Sequence, residues 1–338
     1  MPAEFESHLA TWISWPHHAP DWPGKLATIQ WVYVEIARAL ARSEPVRILV
    51  RDAASRTRVR KLLARAHVPQ ENIAFYVVPT NRSWIRDYGP IFVRRGREIV
   101  MTDWKFNGWA RYANWRLDNG VNAKIAKFLG LPRIKPRAGT ADVVLEGGSV
   151  DVNGQGTLLT TEACHLSKVQ VRNPGLTRSD LEKLFREWLG ARQVIWLGEG
   201  IAGDDTHGHV DDVARFVDPG TIVAVREGNR RDENRDPLEE NLRRLRAARD
   251  PRGRPFRVVT LPMPEPIWYE GERLPASYAN FYIGNRTVLV PTFNDPNDLL
   301  ALDTLGRLFP GRQVVGIHSM DLILGLGTIH CLTQQQPG

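Results

Sequence analysis

The feature that most restricts the fold of this chain is an alternation of helix-type and strand-type segments along all 338 residues. Apolar residues at the helical period predict helices over 25–43 and 296–308, and an apparent capping box at Ser179 predicts a third helix that ends at Leu189. Such alternation is typical of a mixed α/β protein. The β-branched runs between the helices predict strands over 46–50, 73–78, 143–152, 194–197, 221–225, 257–261, 287–290 and 313–317.

A weak repeat accompanies this alternation. Five reactive or polar residues, each in or beside a turn-type segment, recur at similar intervals: Asp87, Glu146, His209, Asn280 and Cys331. Five related modules around a common centre, each contributing one residue to a shared site, would produce this spacing. Any α/β chain with a strand every few dozen residues would also produce it, so the spacing alone leaves both interpretations open.

The composition excludes several classes of protein. Cys164 and Cys331 are the only cysteines, which rules out a disulfide framework and is typical of a reducing compartment. The N-terminal sequence has no basic segment followed by an apolar run, and no stretch approaches the length of a membrane span. We therefore expect a cytoplasmic protein that does not associate with membranes.

A net charge of +7 raises the question of nucleic-acid binding. The basic stretch 226–254 is interleaved with acidic residues, which is typical of a solvated helix face. The cluster 51–65 carries only Asp52 as a counter-charge and is the weaker remaining candidate. We expect no nucleic-acid partner, and the sequence does not distinguish a monomer from a homodimer.

Cys331 is the first candidate for chemistry. A free cysteine is most often a small buried hydrophobic residue, but this one follows His330 and precedes the polar sequence 333–338. Polar neighbours of this kind are unusual for a core residue. A nucleophilic role requires the thiolate, so the sequence predicts a lowered thiol pKa or a neighbouring base.

His209 and Asp211 are the second candidates. If this segment is a strand, the period of two places both side chains on one face, where they could point into the same cleft. Together with His207 the segment also resembles the His-x-His-x-Asp metal cradle of metallo-β-lactamase-like hydrolases. A metal-dependent hydrolase that uses these three residues is therefore a competing hypothesis.

Two carboxylates and a tryptophan complete the candidate set. Glu146 and Asp87 lie beside glycine-containing turns, where a carboxylate often bonds only its own backbone. Trp84 is by default a core residue, but a tryptophan wall would also suit the alkyl stem or cationic head of a guanidino compound.

Taken together and in order, these residues resemble the agmatine deiminase family, which is bacterial peptidyl-arginine deiminase-like and belongs to the guanidino-group-modifying enzymes. The resemblance implies a five-module pseudo-symmetric α/β propeller, the pentein fold, with residues 1–338 as a single catalytic domain of about five ββαβ-like modules. The matching segments are Met1-Pro2-Ala3-Glu4, Trp84-Ile85-Arg86-Asp87, Glu146-Gly147-Gly148-Ser149, Gly208-His209-Val210-Asp211 and Ile329-His330-Cys331-Leu332-Thr333.

The resemblance also implies the chemistry. Agmatine would be hydrolysed to N-carbamoylputrescine and ammonia, a reaction of putrescine and polyamine biosynthesis, through a covalent amidino-thioether on Cys331. His209 would be the acid–base catalyst and Glu146 would orient it. Asp87 and Asp211 would clamp the guanidinium nitrogens, because a planar guanidinium pairs bidentately with carboxylates. No metal or organic cofactor is implied.

Three residues depart from the family pattern. His207 stands where an acid is common, and Leu326 and Thr328 stand where the family commonly has glycine and asparagine. If an acid at position 207 holds the amine end of agmatine, a histidine there weakens that hold. Another guanidino substrate, including peptidyl or free arginine, is therefore an alternative, as is a non-catalytic guanidino- or polyamine-binding protein.

Overall fold

The computed structural model describes residues 1–338 and is a mixed α/β protein, as the alternation predicts. Its α-helices are α1 Leu26–Leu40, α2 Ala53–Arg65, α3 Ile85–Tyr88, α4 Arg116–Asn119, α5 Val121–Leu129, α6 Glu162–Leu166, α7 Arg178–Leu184, α8 Arg235–Ala247 and α9 Asn297–Leu308. Its strands are β1 His8–Ser14, β2 Val46–Val50, β3 Ile73–Val77, β4 Ile91–Arg95, β5 Glu98–Thr102, β6 Arg133–Ile134, β7 Arg137–Ala138, β8 Ala141–Asp142, β9 Asp151–Val152, β10 Thr157–Thr161, β11 Gln193–Leu197, β12 Ala214–Asp218, β13 Thr221–Arg226, β14 Arg257–Pro262, β15 Trp268–Tyr269, β16 Glu272–Arg273, β17 Tyr282–Ile283, β18 Thr287–Thr292, β19 Gln313–His318 and β20 Thr333–Pro337.

Five sheets share one local topology. In each, one strand pairs antiparallel with a neighbour on one side and parallel with a neighbour on the other. Parallel neighbours need a crossover, and at least one helix lies in every crossover, for example α8 between β13 and β14. The sheets are β20-β1-β2-β3, β4-β5-β6, β9-β10-β11, β12-β13-β14 and β17-β18-β19, and two further ribbons are β7-β8 and β15-β16.

The first and last strands of the chain pair with each other, since β20 runs antiparallel to β1. The polar C-terminal sequence is therefore a buried strand and not the exposed tail that its composition suggested. Most of its side-chain amide groups are hydrogen bonded: Gln334 Nε2 donates to the Pro90 carbonyl at 2.9 Å, and Trp12 Nε1 donates to Gln336 Oε1 at 3.0 Å, although Gln334 Oε1 has no partner. Buried polar groups with partners are readily tolerated.

The predicted strand over 143–152 is wrong as a continuous element. Gly147–Ser149 forms a 3-10 turn, and only Asp151–Val152 at its end is a strand. A side chain at Gly147 would place its Cβ 2.2 Å from the Arg86 carbonyl oxygen, so the close approach of two backbones requires glycine here.

The helix start predicted at Ser179 is also misplaced. The capping box is formed by Thr177 and Asp180, and α7 begins at Arg178. After α7 the chain makes one π-helical turn over Phe185–Leu189, and Gly190 ends it in the left-handed conformation.

The interpretation of 226–254 as a solvated face agrees with the structure. Helix α8 lies in this stretch, and its exposed arginines pair with glutamates, for example Arg243 and Arg244 with Glu240. Apolar side chains collect in three buried clusters, and the largest contains Cys331 together with much of α1 and β2. None of the helices combines the length and the apolar character that crossing a membrane would require.

Candidate active site

The six residues proposed from the sequence converge on one buried location. Each comes from a turn or a very short helix at the end of a sheet, where backbone irregularity frees side chains to point inward. His209 lies between two of the carboxylates: its Nδ1 is 3.7 Å from Asp87 Oδ1, and its Nε2 is 3.6 Å from Glu146 Oε2. The six are Trp84, Asp87, Glu146, His209, Asp211 and Cys331.

A cavity of about 250 Å³ leads to this location. Asp87 and Cys331 line it, together with Trp84 and Trp109. Aromatic walls around a carboxylate and a thiol form a small site for a cation with an apolar stem.

Asp87 lies in the short helix α3, and its carboxylate accepts two hydrogen bonds from other segments. Trp109 Nε1 donates to Asp87 Oδ2 at 2.9 Å, and the backbone of Gly148 donates to Oδ1 at 3.0 Å. A Cβ at Gly148 would lie only 2.6 Å from His209 Nδ1, so this glycine is what lets the carboxylate and the imidazole face each other. Burial, with smaller contributions from neighbouring carboxylates, raises the pKa of Asp87 to about 6 against the opposing charge of His209.

His209 precedes a 3-10 turn over Val210–Asp212, not the strand that the spacing suggested. The Asp204 carboxylate fixes this turn by accepting the backbone N–H groups of Gly208 at 2.7 Å and His209 at 3.1 Å. Neither ring nitrogen of His209 has a hydrogen-bond partner, although the side chain is fully buried. Burial opposes a charge here, but Asp87, Cys164 and Glu146 outweigh it and raise the imidazole pKa well above its ordinary value.

Glu146 has a partner that the sequence did not point to. Arg172 Nε donates to both carboxylate oxygens, at 3.2 and 3.3 Å, and both side chains are fully buried. Burial opposes ionisation, but Arg172 and then His209 outweigh it and lower the pKa of Glu146 to about 2. Glu146 is therefore a permanent anion beside the imidazole.

Of the two possibilities that the sequence left open for Cys331, a lowered thiol pKa or a neighbouring base, the first is not found in the free protein. Burial first, and then the carboxylates of Asp211, Asp212 and Asp87, raise the pKa of this thiol well above its ordinary value. In the free protein the sulfur is therefore a neutral thiol. The anions that would bind a cationic substrate are the same groups that suppress the thiolate.

Asn280, one of the repeat markers, holds the sulfur in place. Its side-chain nitrogen donates to Cys331 Sγ at 3.2 Å and to Asp212 Oδ1 at 2.9 Å. Its oxygen accepts from the Thr328 hydroxyl at 2.8 Å, which fixes the orientation of the amide. Thr328, a departure from the family pattern, thus acts on the sulfur through one intervening residue.

Asp211 lies on the other side of the sulfur. Its Oδ2 is 3.8 Å from Cys331 Sγ and 2.6 Å from His330 Nδ1, whereas its Oδ1 has no partner. The second ring nitrogen of His330 contacts Glu4 Oε2 at 2.9 Å. His330 and Glu4 occur in the motifs quoted above, but residue type alone gave neither of them a function.

The metal cradle proposed from His207, His209 and Asp211 does not form. His207 contacts the Ser167 hydroxyl at 3.0 Å and lines a different cavity, on the far side of the turn. A metal-like grouping of donor atoms, all within 4.8 Å of one another, consists instead of Glu146, Cys164 and His209. His207 is not among the residues that line the cavity leading to Cys331, so the structure gives no support to the hypothesis that it weakens the hold on an amine.

Asp205 also lines the cavity. It accepts the Tyr112 hydroxyl at 2.7 Å, and burial together with Asp204 raises its pKa to about 6. Asp21 is a third carboxylate in the cavity wall and pairs with Arg82 at 2.5 Å.

Two residues that line the cavity have a strained backbone conformation. Leu326 has φ of +67° and Trp109 has φ of +57°, and both line the cavity. Left-handed backbone is uncommon for residues other than glycine and tends to persist at functional sites.

Comparison with known proteins identifies the family. A profile of the Porphyromonas-type peptidyl-arginine deiminase family matches residues 1–337. The agmatine deiminase of Ectopseudomonas mendocina is 37% identical, over 100% of this chain and 95% of the relative, and that of Pseudomonas syringae pv. tomato gives the same figures. Among solved structures, agmatine deiminase of Enterococcus faecalis superposes with a TM-score of 0.90 at 34% identity and covers 100% of this chain and 95% of its own.

The chain therefore belongs to the Porphyromonas-type peptidyl-arginine deiminase family. The resemblance noted in the sequence is confirmed at the level of the family.

Proposed function

We propose that the protein is an agmatine deiminase that hydrolyses agmatine to N-carbamoylputrescine and ammonia through a covalent intermediate on Cys331. The observation that carries the proposal is the set of unsatisfied groups around the sulfur. Asp211 Oδ1 is a buried acceptor without a partner, which is unfavourable unless a ligand supplies a donor. A guanidinium has five N–H donors and would supply it, whereas the two ring nitrogens of the His209 imidazolium have no protein partner and remain available for proton transfer.

Binding would activate the nucleophile. In the free protein the pKa of Cys331 is raised by burial and by surrounding carboxylates, and a guanidinium between Asp87 and Asp211 places a positive charge next to the sulfur. An opposite charge at this distance lowers a thiol pKa, so the thiol releases its proton as the substrate binds. The thiolate would therefore form only in the complex.

The thiolate would then attack the central guanidinium carbon and form a C–S bond. The imidazolium of His209, stabilised by Glu146 and Asp87, donates its proton to a departing nitrogen, and the C–N bond breaks as ammonia leaves. The product of this half-reaction is an amidino-thioether on Cys331.

The neutral imidazole of His209 would next take a proton from water as the hydroxide adds to the amidino carbon. Collapse of that adduct breaks the C–S bond, releases the ureido product, and returns the hydroxyl proton to the sulfur. His209 is left as the imidazolium, ready for the next cycle.

The outer cavity favours an amine over a carboxylate at the far end of the substrate. Asp205 and Asp21 both line it, and the one arginine there, Arg82, is already paired with Asp21. The ammonium of agmatine would find a carboxylate, whereas the α-carboxylate of free arginine would meet like charge. The names of the relatives support the same substrate.

The five sheets of common topology support a five-module arrangement. We propose that residues 1–338 form a single catalytic domain in which each module turns one loop toward the shared centre. Asp87, Glu146, His209, Asn280 and Cys331 would be the five contributions, which is the repeat inferred from the sequence.

The first test is Cys331→Ala with Cys164→Ala as the matched control. Cys331→Ala is expected to abolish release of ammonia and of the ureido product while calorimetry still detects agmatine binding. Wild-type turnover by Cys331→Ala would refute the mechanism. Binding of agmatine by the wild type without release of ammonia would indicate a non-catalytic guanidino-binding protein.

The second test separates the substrates. Comparison of kcat/KM for agmatine, free arginine, a peptidyl arginine and an uncharged-tail butylguanidine is expected to rank agmatine first. Asp205→Asn should raise KM for agmatine about tenfold and leave the butylguanidine value unchanged. An equal effect on both compounds would show that Asp205 does not bind the amine.

A further inference from the structure

Glu4, near the start of the chain, lies at the buried end of the site. Its Oε1 accepts from Arg215 Nη2 at 2.8 Å and from the Ile283 backbone at 2.9 Å. Its Oε2 accepts from Arg86 Nη2 at 2.9 Å and contacts His330 Nε2 at 2.9 Å. Burial raises the pKa of this carboxyl, but Arg215, His330 and Arg86 outweigh it and hold the pKa well below its ordinary value.

The hydrogen bonds define the state of His330. Its Nδ1 lies 2.6 Å from Asp211 Oδ2 and its Nε2 lies 2.9 Å from Glu4 Oε2. An ionised carboxylate only accepts, and a neutral imidazole has one donor nitrogen and one acceptor nitrogen. Both contacts are therefore made only when both ring nitrogens carry protons, so Glu4 and Asp211 share one imidazolium.

This sharing fixes the orientation of Asp211. His330 binds Oδ2, which is also the oxygen that lies 3.8 Å from Cys331 Sγ, and Oδ1 is left without a partner. Without the second carboxylate the imidazole ring is free to turn, and Asp211 Oδ2 is no longer held beside the sulfur.

We propose that Glu4 is a positioning residue for guanidinium binding and acts through His330 on Asp211. The inference rests on the proposed function, because its readout is the affinity for agmatine. It assigns the N-terminal segment a direct part in the substrate site, through a line of three buried side chains. Glu4 itself does not touch the substrate.

The test is a thermodynamic cycle in a Cys331→Ser background, where binding is measured by calorimetry without turnover. Glu4→Gln is expected to raise the Kd for agmatine about tenfold or more, the scale reached when the partner of an orienting hydrogen bond is removed. Asp211→Asn is expected to raise it further, and the double variant should bind no more weakly than Asp211→Asn alone, because residues that act through one another do not add.

The matched control is Glu44→Gln. Glu44 is a buried glutamate with its own partners, including the Asn285 backbone at 2.5 Å, and it makes no contact with His330. The Glu44→Gln substitution should lower Tm without changing the Kd for agmatine. If Glu4→Gln does not fold, His330→Gln in the same background replaces it and is expected to weaken binding equally.

An unchanged Kd in Glu4→Gln or in His330→Gln, or effects of Glu4→Gln and Asp211→Asn that simply add, would overturn the inference. Failure of the Cys331→Ser parent itself to bind agmatine would instead show that the proposed substrate is wrong, and the inference would fall with it.

Discussion

His209 and His330 are two buried imidazoles that each lie between two carboxylates, yet their hydrogen bonding is opposite. His330 is bound on both ring nitrogens, at 2.6 and 2.9 Å. His209 lies 3.6 and 3.7 Å from its carboxylates and has no hydrogen-bond partner at all.

The difference indicates which ring is available to bond a ligand and which ring is committed to contacts within the protein. A buried polar group without a partner costs free energy that the fold must supply elsewhere, and such groups concentrate where a ligand will later satisfy them. A ring whose two nitrogens are both bound to protein carboxylates cannot bond a substrate atom without losing one of these contacts. His209 is therefore suited to chemistry, and His330 to holding Asp211.

The sharpest test of this comparison is the same substitution at both positions. His209→Gln is expected to lower kcat by about 10²–10⁴-fold, the usual contribution of an acid–base group, with little change in Tm. His330→Gln is expected to lower Tm and raise KM, with a much smaller change in kcat. Steady-state kinetics and thermal unfolding of the two variants measure these effects. Equal losses of kcat in both would show that the two histidines do not have different roles.

The carboxylates beside the two rings should differ in the same way. Burial raises the pKa of Asp87, beside His209, to about 6, whereas His330 overcomes burial and lowers the pKa of Asp211. Agmatine affinity in Cys331→Ser should therefore weaken up to tenfold per pH unit below about 6, as Asp87 takes up a proton. Calorimetry from pH 5 to 8 measures this.

Asp205 also titrates near 6, so Asp205→Asn must retain the dependence while Asp87→Asn must lose it. The sign for folding is opposite to that for binding. Because the folded pKa of Asp87 exceeds its unfolded value of 3.8, its stabilising contribution is present below 3.8 and is lost as pH rises through about 6. A pH-independent Kd would show that Asp87 does not clamp the guanidinium.

A smaller effect is expected from the support of the sulfur. Thr328→Val keeps the shape of the side chain but removes the hydrogen bond to Asn280 Oδ1, so Asn280 is less well held against Cys331. We expect a loss of about 1 kcal/mol of unfolding free energy and a several-fold fall in kcat/KM. Thr333→Val, at another buried threonine that does not bond Asn280, should affect denaturant stability alone.

The smallest expected effect is on stability and comes from the strained backbone of Leu326 in the cavity wall. Leu326 adopts a left-handed conformation that costs a residue with a side chain about 1–2 kcal/mol, part of which glycine returns as chain entropy on unfolding. Leu326→Gly is therefore expected to raise unfolding free energy by about 0.5 kcal/mol. The neighbouring Leu324→Gly, where φ is not positive, should lower it, and denaturant melts compare the two.

Much of the site could be predicted because its chemistry is visible in residue types. A late cysteine, a histidine and carboxylates beside turns identified the groups now found together, and the resemblance to a family gave them roles. The sequence could not place Arg172 beside Glu146, or Glu4 beside His330, because these pairs join segments that are far apart and carry no local signal.

The errors in the fold have a similar cause. The local sequence pattern identified strands such as β2 and β19 well. It did not identify β20, because the glutamines of this strand are polar and have no strand-type pattern. They are buried through contacts with distant segments, such as the hydrogen bond from Gln334 to the Pro90 carbonyl. The same holds for the turn at His209, which the Asp204 carboxylate stabilises and which a two-residue spacing misrepresents as a strand.

The pairing of β1 with β20 has a consequence for how activity arises during folding. These two strands come from opposite ends of the chain, and contacts so distant in sequence form slowly. Until they meet, the nucleophile cannot reach its companions, so a half-folded chain carries no functioning catalytic centre. The recovery of deiminase activity during refolding should therefore report the joining of the two termini.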